Sequence, residues 1–340
     1  MKAAFLTGKG VIEVKEIPCP AIDKGGILVA VKRAAICRTD LKMMQTGQRD
    51  LILPRILGHE GAGEVIASLN PEFREGDIVS IYPGLYCGKC IFCRTGHTAR
   101  CESIRIYGFN EDGFFRSVMP FKKEEIKSLV PLTHAVSLNM IALAEPLACC
   151  ISALKKVRPE RMGRALIIGA GAMGSIFAAL LVSQGWEHIT ITDKDPLRLR
   201  KELPPGIERI NVRTESLIPA LKRAGLYGDT DLIIPCCPDA LSWPFLEIMR
   251  PGGGVIFFSG GTAGKSCISI DMNIAHYMEI ILAGSYGCNR DDFVSAIRMI
   301  SEGNIDLGFF DFYNVSLESI MDGMDRLRKR KVKKVIINSF

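Results

Sequence analysis

Apolar and polar positions change rhythm along this chain. Over the first 140 residues, short apolar runs at 27–31, 63–66 and 78–81 are broken by Gly, Pro and Asp. This is the texture of short strands separated by turns. Between 42 and 58, a polar stretch followed by a Leu-Pro segment predicts a short helix and a loop. From residue 162 onward, apolar runs at 165–168, 189–192, 232–235 and 255–258 alternate with helical stretches. That alternation predicts a doubly wound parallel sheet. Near Gly284 the rhythm shifts again. A helix over 290–302, a loop, a helix over 317–328 and a strand over 332–337 close the chain.

The uncharged stretch 165–186 is long enough to cross a bilayer. Gly169, Gly171, Gly174 and Gly185, with charges close on either side, favour a buried strand, a glycine turn and a buried helix instead. A length of 340 residues allows two domains, and 48% hydrophobic against 24% charged residues excludes a disordered chain. The opening MKAAFLTGKG is neither a signal nor a transit peptide, so a cytoplasmic location is expected. Twelve cysteines then read as thiols or metal ligands.

The net charge of +6 suits an anionic cofactor without marking a nucleic-acid protein. The basic run 326–334 reads as a solvated helix end leading into a buried strand. Its rival reading is a phosphate-neutralising surface, which would make the chain a zinc-lobed nucleic-acid binder.

Gly169-Ala170-Gly171-Ala172-Met173-Gly174 fits G-x-G-x-x-G, between an apolar run and a helix-like run. A second predicted strand ends at Asp193, 19 residues past Gly174. Strand, glycine turn, helix, strand and acid at this spacing point to a dinucleotide. Gly169 allows the tight turn, Gly171 lets backbone amides approach a pyrophosphate, and Gly174 lets helix and strand pack closely. Asp193 suits the ribose hydroxyls and repels a 2′-phosphate, so NAD is expected over NADP. Lys194 beside it softens that discrimination.

Cys87, Cys90, Cys93 and Cys101 give C-x2-C-x2-C-x7-C. Four thiolates in one compact run suit a tetrahedral zinc with no open position, hence a structural ion. An iron–sulfur cluster uses the same ligands. A second set is dispersed: Cys37, the pair His59 and Glu60, and Glu145. Thiolate, imidazole and carboxylate together bind zinc and leave a place for substrate. Spacing alone does not separate these ligands from packing residues.

The segments CRTD at 37–40, GHEGAGEV at 58–65, the four-cysteine lobe, EPL at 145–147, GAGAMG at 169–174 and GSYG at 284–287 occur in one order. In that order the chain resembles the zinc-dependent medium-chain alcohol and polyol dehydrogenases over essentially its whole length. The resemblance implies a GroES-like β-barrel catalytic domain, residues 1–145 and 286–340, carrying a zinc lobe at about 84–104. Between its halves it implies a Rossmann domain, residues 146–285, that binds NAD.

The resemblance also implies roles and partners. Two zinc ions are expected, one catalytic and one structural. Cys37 and His59 resemble the catalytic ligands, Glu60 an acid able to coordinate directly, and Glu145 the further ligand of the polyol and threonine branch. Thr39 resembles the hydroxyl that takes the alcohol proton. Asp40 resembles the carboxylate that orients His59, and Arg38 a cation for the pyrophosphate. A small alcohol or ketone substrate and a homodimer or homotetramer follow, with no nucleic-acid or membrane partner. L-Threonine 3-dehydrogenase is the alternative enzyme, and a non-catalytic NAD binder the alternative class.

Three departures stand out. Lys42 occupies the place where many relatives carry a histidine ending a proton relay. Asp112-Gly113-Phe114-Phe115-Arg116-Ser117 replaces a usual D-G-G-F-A-E. Cys236 and Cys237, at a strand end expected near the nicotinamide, read as packing residues.

Overall fold

The computed structural model describes residues 1–48, 50–201, 203–238, 243–258 and 267–340. The chain forms two compact units. One comprises Met1–Ala148, Asn289–Gly303 and Asp311–Phe340, the other Cys149–Cys288 and Asn304–Phe310. Against expected limits at 145 and 286, each crossing lies three residues further along, and Asn304–Phe310 makes a second, short return.

The first unit holds β1 (Lys2–Gly8), β2 (Val11–Glu16), β3 (Ile27–Ile36), β4 (Arg55–Ile56), β5 (Glu60–Ser68), β6 (Ile78–Ile81), β7 (Gly84–Leu85), β8 (Arg105–Ile106), β9 (Val118–Phe121) and β10 (Leu129–Pro131). The second holds β11 (Arg164–Ile168), β12 (His188–Asp193), β13 (Glu208–Asn211), β14 (Thr230–Pro235), β15 (Met249–Phe257) and β16 (Ile281–Gly284). Strands β17 (Phe312–Ser316) and β18 (Lys334–Ser339) belong to the first unit again.

The main sheet of the first unit runs β10-β6-β5-β3-β18-β17, with β9 also on β3. β3 is its spine and lies antiparallel to β5, β9 and β18. Its Ile27, Val29, Val31, Ala34 and Ile36 share one core with Val65, Val79, Phe114, Phe115, Val335 and Ile337. β-Branched side chains suit such a pleated, packed surface. Two register shifts along β3–β5 bend the pair, as bulges do.

The helix expected within 42–58 begins earlier, at Arg38, and ends at Thr46. Its start is set by Cys37 and Asp40, which form a capping box, and it buries Leu41, Met43 and Met44. The last helix starts at Ile320, later than the expected 317. Leu317 is instead held to the sheet through its N–H to the Ser339 carbonyl. The last strand starts at Lys334, not 332. The preceding Arg330, at φ 59°, turns the chain through the left-handed region.

The second unit is a six-stranded sheet in the order β13-β12-β11-β14-β15-β16. Every pairing in it is parallel. The order reverses between β11 and β14, the switch point where doubly wound sheets bind ligands. The stretch 165–186 resolves into β11, a turn and the twelve-residue helix Ala172–Ser183, whose core positions are buried. Among the described residues, no helix is long and apolar enough to cross a membrane.

Helix and strand meet closely because Gly174 has no side chain. A Cβ there would stand 1.9 Å from the Gly169 carbonyl oxygen. At Gly171 an added Cβ meets only the Arg198 guanidinium, at 3.7 Å. Gly174→Ala is therefore expected to destabilise the protein by about 1–3 kcal/mol, the usual cost of overpacking. Gly171→Ala leaves the urea midpoint unchanged. Equal midpoints for the two variants would contradict this packing account.

Candidate metal and dinucleotide sites

Cys37 follows β3 directly and caps the helix Arg38–Thr46. Its Sγ accepts the Thr39 backbone N–H at 3.4 Å, and Asp40 Oδ2 accepts the Cys37 N–H at 2.8 Å. Asp40 is fully buried. Its Oδ1 accepts the Gly58 N–H at 3.3 Å and lies 3.3 Å from His59 Nδ1. With Nδ1 turned to Asp40, Nε2 is the nitrogen left for a metal. Burial opposes a charge on His59, but Asp40 and Cys37 outweigh it and hold the imidazole pKa well above its ordinary value.

His59 and Glu60 stand between two glycines, and the packing explains both. Gly58 has φ 94°, and a Cβ on it would meet the Phe115 ring at 2.6 Å. A Cβ on Gly61 would meet the Phe114 ring at 2.8 Å. The amides of Gly113, Phe114 and Phe115 donate to the carbonyls of Ile56, Gly58 and Leu57 at 2.7, 3.0 and 3.0 Å. The departure at 112–117 is thus a clamp. Its two buried phenylalanines seat the backbone that presents His59, a role its sequence did not reveal.

The donor atoms of Cys37, His59 and Glu60 all lie within 4.8 Å of one another. Glu60 Oε1 is buried with no hydrogen-bond partner among the described residues. That oxygen is open to a donor or to a metal ion. Sulfur, nitrogen and oxygen donors at this separation fit one zinc ion with a place left over. Glu145 opens the helix Ala144–Leu154 but is not in this group of three. Thr39 is half-buried. Arg38 is exposed and donates to the Leu327 carbonyl at 3.3 Å.

One participant was missed. Lys334 is 4% exposed and forms an ion pair with Glu60 Oε2, itself on a residue 1% exposed. Burial would lower the Lys334 pKa, but Glu60, Cys37 and Glu145 together hold it above the usual value. The register explains the meeting. Glu60 pairs with Ala35 on β3, and Ala35 pairs with Ile336 on β18. Lys334 stands two residues before Ile336 and so shares its face. Lys333 is also buried, at 6%. Neither residue is then open to a phosphate backbone, which weakens the nucleic-acid reading of the 326–334 run.

The four lobe cysteines bring their sulfurs within 4.8 Å of one another. Cys90–Cys93 and Cys87–Cys93 sulfur separations are 3.5 and 3.9 Å. The edge of a ZnS4 tetrahedron with ~2.3 Å bonds is about 3.8 Å. Backbone N–H groups of Lys89 and Cys90 point at Cys87 and lower its pKa to about 6. Burial raises Cys93 to about 12. The set fits a closed structural ion.

In the second unit, Gly169 takes φ 109° at the end of β11, and Gly171 caps the helix that begins Ala172-Met173-Gly174. Asp193 ends β12. Its Oδ2 accepts the Ala170 N–H at 2.8 Å and its Oδ1 the Asp195 N–H at 2.9 Å. The acid is thereby fixed beside the turn, and the open space over Gly171 fits a phosphate approaching the helix N-terminus. Cys237 packs against Gly169, 3.3 Å from where its Cβ would be. Burial pushes the Cys236 thiol up, which suits packing.

Residues 23–132 match the family described as alcohol dehydrogenase GroES-like domain. The D-altritol 5-dehydrogenase of Agrobacterium fabrum is 30% identical over 297 residues, covering 86% of this chain and 85% of its own. The L-threonine 3-dehydrogenase of Rhizobium etli is 26% identical over 335 residues, covering 96% and 94%. An alcohol dehydrogenase structure from Thermotoga maritima superposes with a TM-score of 0.89 at 21% identity, covering 100% and 99%. The chain belongs to the zinc-dependent medium-chain alcohol and polyol dehydrogenase family, and is an oxidoreductase acting on CH–OH donors.

Two substitutions separate the metal sites. Cys37→Ser is expected to remove one zinc and leave the melting temperature near wild type, whereas Cys101→Ser removes the other and lowers it. Asp40→Asn should weaken the Cys37-dependent zinc by about 10–100-fold, the usual effect of losing a histidine's supporting carboxylate. Metal analysis after dialysis against a graded chelator reads all three. A Cys37→Ser protein with its full zinc content would remove the catalytic assignment.

Proposed function

We propose that this dehydrogenase interconverts a secondary alcohol and its ketone, with NAD as the hydride carrier. The substrate class is a polyol, sugar, aminocyclitol or similar molecule. The observation that carries the reading is the convergence of Cys37, His59 and Glu60 around a buried oxygen that lacks a hydrogen-bond partner among the described residues. When bound, zinc supplies Lewis acidity at the substrate hydroxyl, and NAD supplies the hydride acceptor.

The chain's own residues do the rest. Cys37 and His59 hold the ion, with Glu145 as the further ligand that the family resemblance implies. Asp40 fixes the His59 ring so that Nε2 faces inward. Thr39, half-buried one residue into the helix, takes the hydroxyl proton and passes it outward. Lys42, exposed on the same helix, leaves that outer path to water. The turn from Gly169 to Gly174, with the Ala172 and Met173 amides, binds the pyrophosphate, and Asp193 accepts the ribose hydroxyls. A homodimer or homotetramer in the cytoplasm completes the proposal.

L-Threonine is the alternative substrate, resting on the resemblance and on the names of several relatives. The decisive experiment offers polyols, aminocyclitols, simple secondary alcohols and L-threonine with NAD and follows absorbance of NADH. Turnover is expected on a polyol or related secondary alcohol and to vanish in Cys37→Ala. Full turnover by Cys37→Ala would overturn the mechanism. Asp193→Ser is expected to narrow the preference for NAD over NADP by at least about tenfold, equivalent to losing ~1.4 kcal/mol of discrimination. Unchanged cofactor ratios would remove Asp193 from that role.

A further inference from the structure

Another pair of sulfurs lies outside the Cys37 trio and the four-cysteine lobe. Cys149 and Cys288 place their Sγ atoms within 4.8 Å of each other. Both belong to the second unit, and they are the first and last residues of its main segment, Cys149–Cys288. They are 8% and 5% exposed. Cys149 sits in the middle of the helix Ala144–Leu154. Cys288 stands between Gly287, which turns the chain at φ 64°, and Asn289, which caps the helix Arg290–Ser301 in a capping box with Asp292. With both backbones held in this way, rotation about χ1 brings the sulfurs to the bonding distance of about 2.05 Å. Cys150, the next residue of the helix, points about 100° away around its axis.

We propose that Cys149 and Cys288 form a reversible disulfide, driven by a hydroperoxide, that closes the dinucleotide-binding segment into a covalent ring and braces it against unfolding. In the first step one sulfur bonds to a peroxide oxygen, the O–O bond breaks, and the thiol proton leaves with the departing oxygen as water. The product is a sulfenic acid. In the second step the other sulfur attacks the sulfenic sulfur. The S–S bond forms, the S–O bond breaks, and the second thiol proton leaves with the hydroxyl as water. The two thiols lose two electrons, and hydrogen peroxide is reduced to two water molecules. A dithiol restores the thiols by exchange.

Ring closure acts through the unfolded chain. A disulfide removes more freedom from the unfolded state the longer the loop it closes. This pair encloses the whole run from β11 to β16. In a reducing compartment both residues stay thiols, as they are in this structure. Nothing in the pairing depends on the metal or substrate readings above.

The test treats the zinc-loaded full chain with one equivalent of hydrogen peroxide. Three results are expected: a faster band on a non-reducing denaturing gel, two thiols fewer than the twelve the chain carries, and a linked peptide pair containing Cys149 and Cys288. Dithiothreitol should reverse all three. The oxidised protein should melt at least about 4 °C higher than the reduced one. Cys149→Ser and Cys288→Ser are expected to lose the faster band and the thermal shift, and Cys150→Ser to keep both. Twelve thiols after treatment, or linkage between other cysteines, would overturn the inference, as would equal melting temperatures for oxidised and reduced wild type. A lower zinc content in Cys149→Ser than in wild type makes the pair a metal site and overturns it too. The wild-type peptide map decides the point by itself if a serine variant fails to fold.

Discussion

A carboxylate with no access to water is tolerated only where the fold supplies donors to it. Asp40 is that group here. It accepts the Cys37 and Gly58 amides and lies 3.3 Å from a nitrogen of the His59 ring, so it meets three groups from two separate chain segments. One side chain therefore caps a helix, ties the end of β3 to the start of β5, and orients an imidazole. Folding and ligand geometry cannot be separated at this point. The arrangement that satisfies Asp40 is also the arrangement that leaves His59 Nε2 and Cys37 Sγ facing a common point.

That point is supported from below by packing. Gly58 and Gly61 are glycines because Phe115 and Phe114 occupy the volumes their side chains would need. The segment 113–115 pairs its amides with the carbonyls leading into His59. Interiors are dense enough that such contacts transmit small displacements. A change in either phenylalanine would shift the metal donors without touching them. The lobe cysteines lack this dependence, since their ligands fall within fifteen consecutive residues and local backbone amides already orient them.

What the sequence made legible follows from range. The G-x-G-x-x-G turn with Asp193, the four-cysteine lobe and the parallel-sheet alternation are local patterns. Each could be read within a few tens of residues. The catalytic trio needed the resemblance, because nothing in the spacing of Cys37 and His59 shows that β3 and β5 pair. Lys334 was harder still. It sits in the run Arg328-Lys329-Arg330-Lys331-Val332-Lys333-Lys334, where every cation looks alike. Its burial is set by β18 pairing with β3 across nearly the whole chain. A cue existed in that Lys334 opens the apolar run Val335-Ile336-Ile337, but charge at a strand start is common. The phenylalanine clamp was illegible for a similar reason, since its partners lie more than fifty residues earlier.

The same logic separates reaction from substrate. The chemistry at the carbon–oxygen bond depends on groups whose positions follow from backbone pairing, so family membership carries it. The rest of the substrate is met by side chains outside those pairings, and these vary without disturbing the fold. Relatives of nearly equal similarity act, by name, on D-altritol and on L-threonine. Those substrates share an alcohol, but only threonine carries charged groups, an ammonium and a carboxylate. A threonine-directed site needs a fixed cation for the carboxylate. Among the described residues, the buried ammonium of Lys334 is already engaged by Glu60. A polyol asks for no such cation, only for hydroxyl partners, and that asymmetry is the physical ground for preferring it.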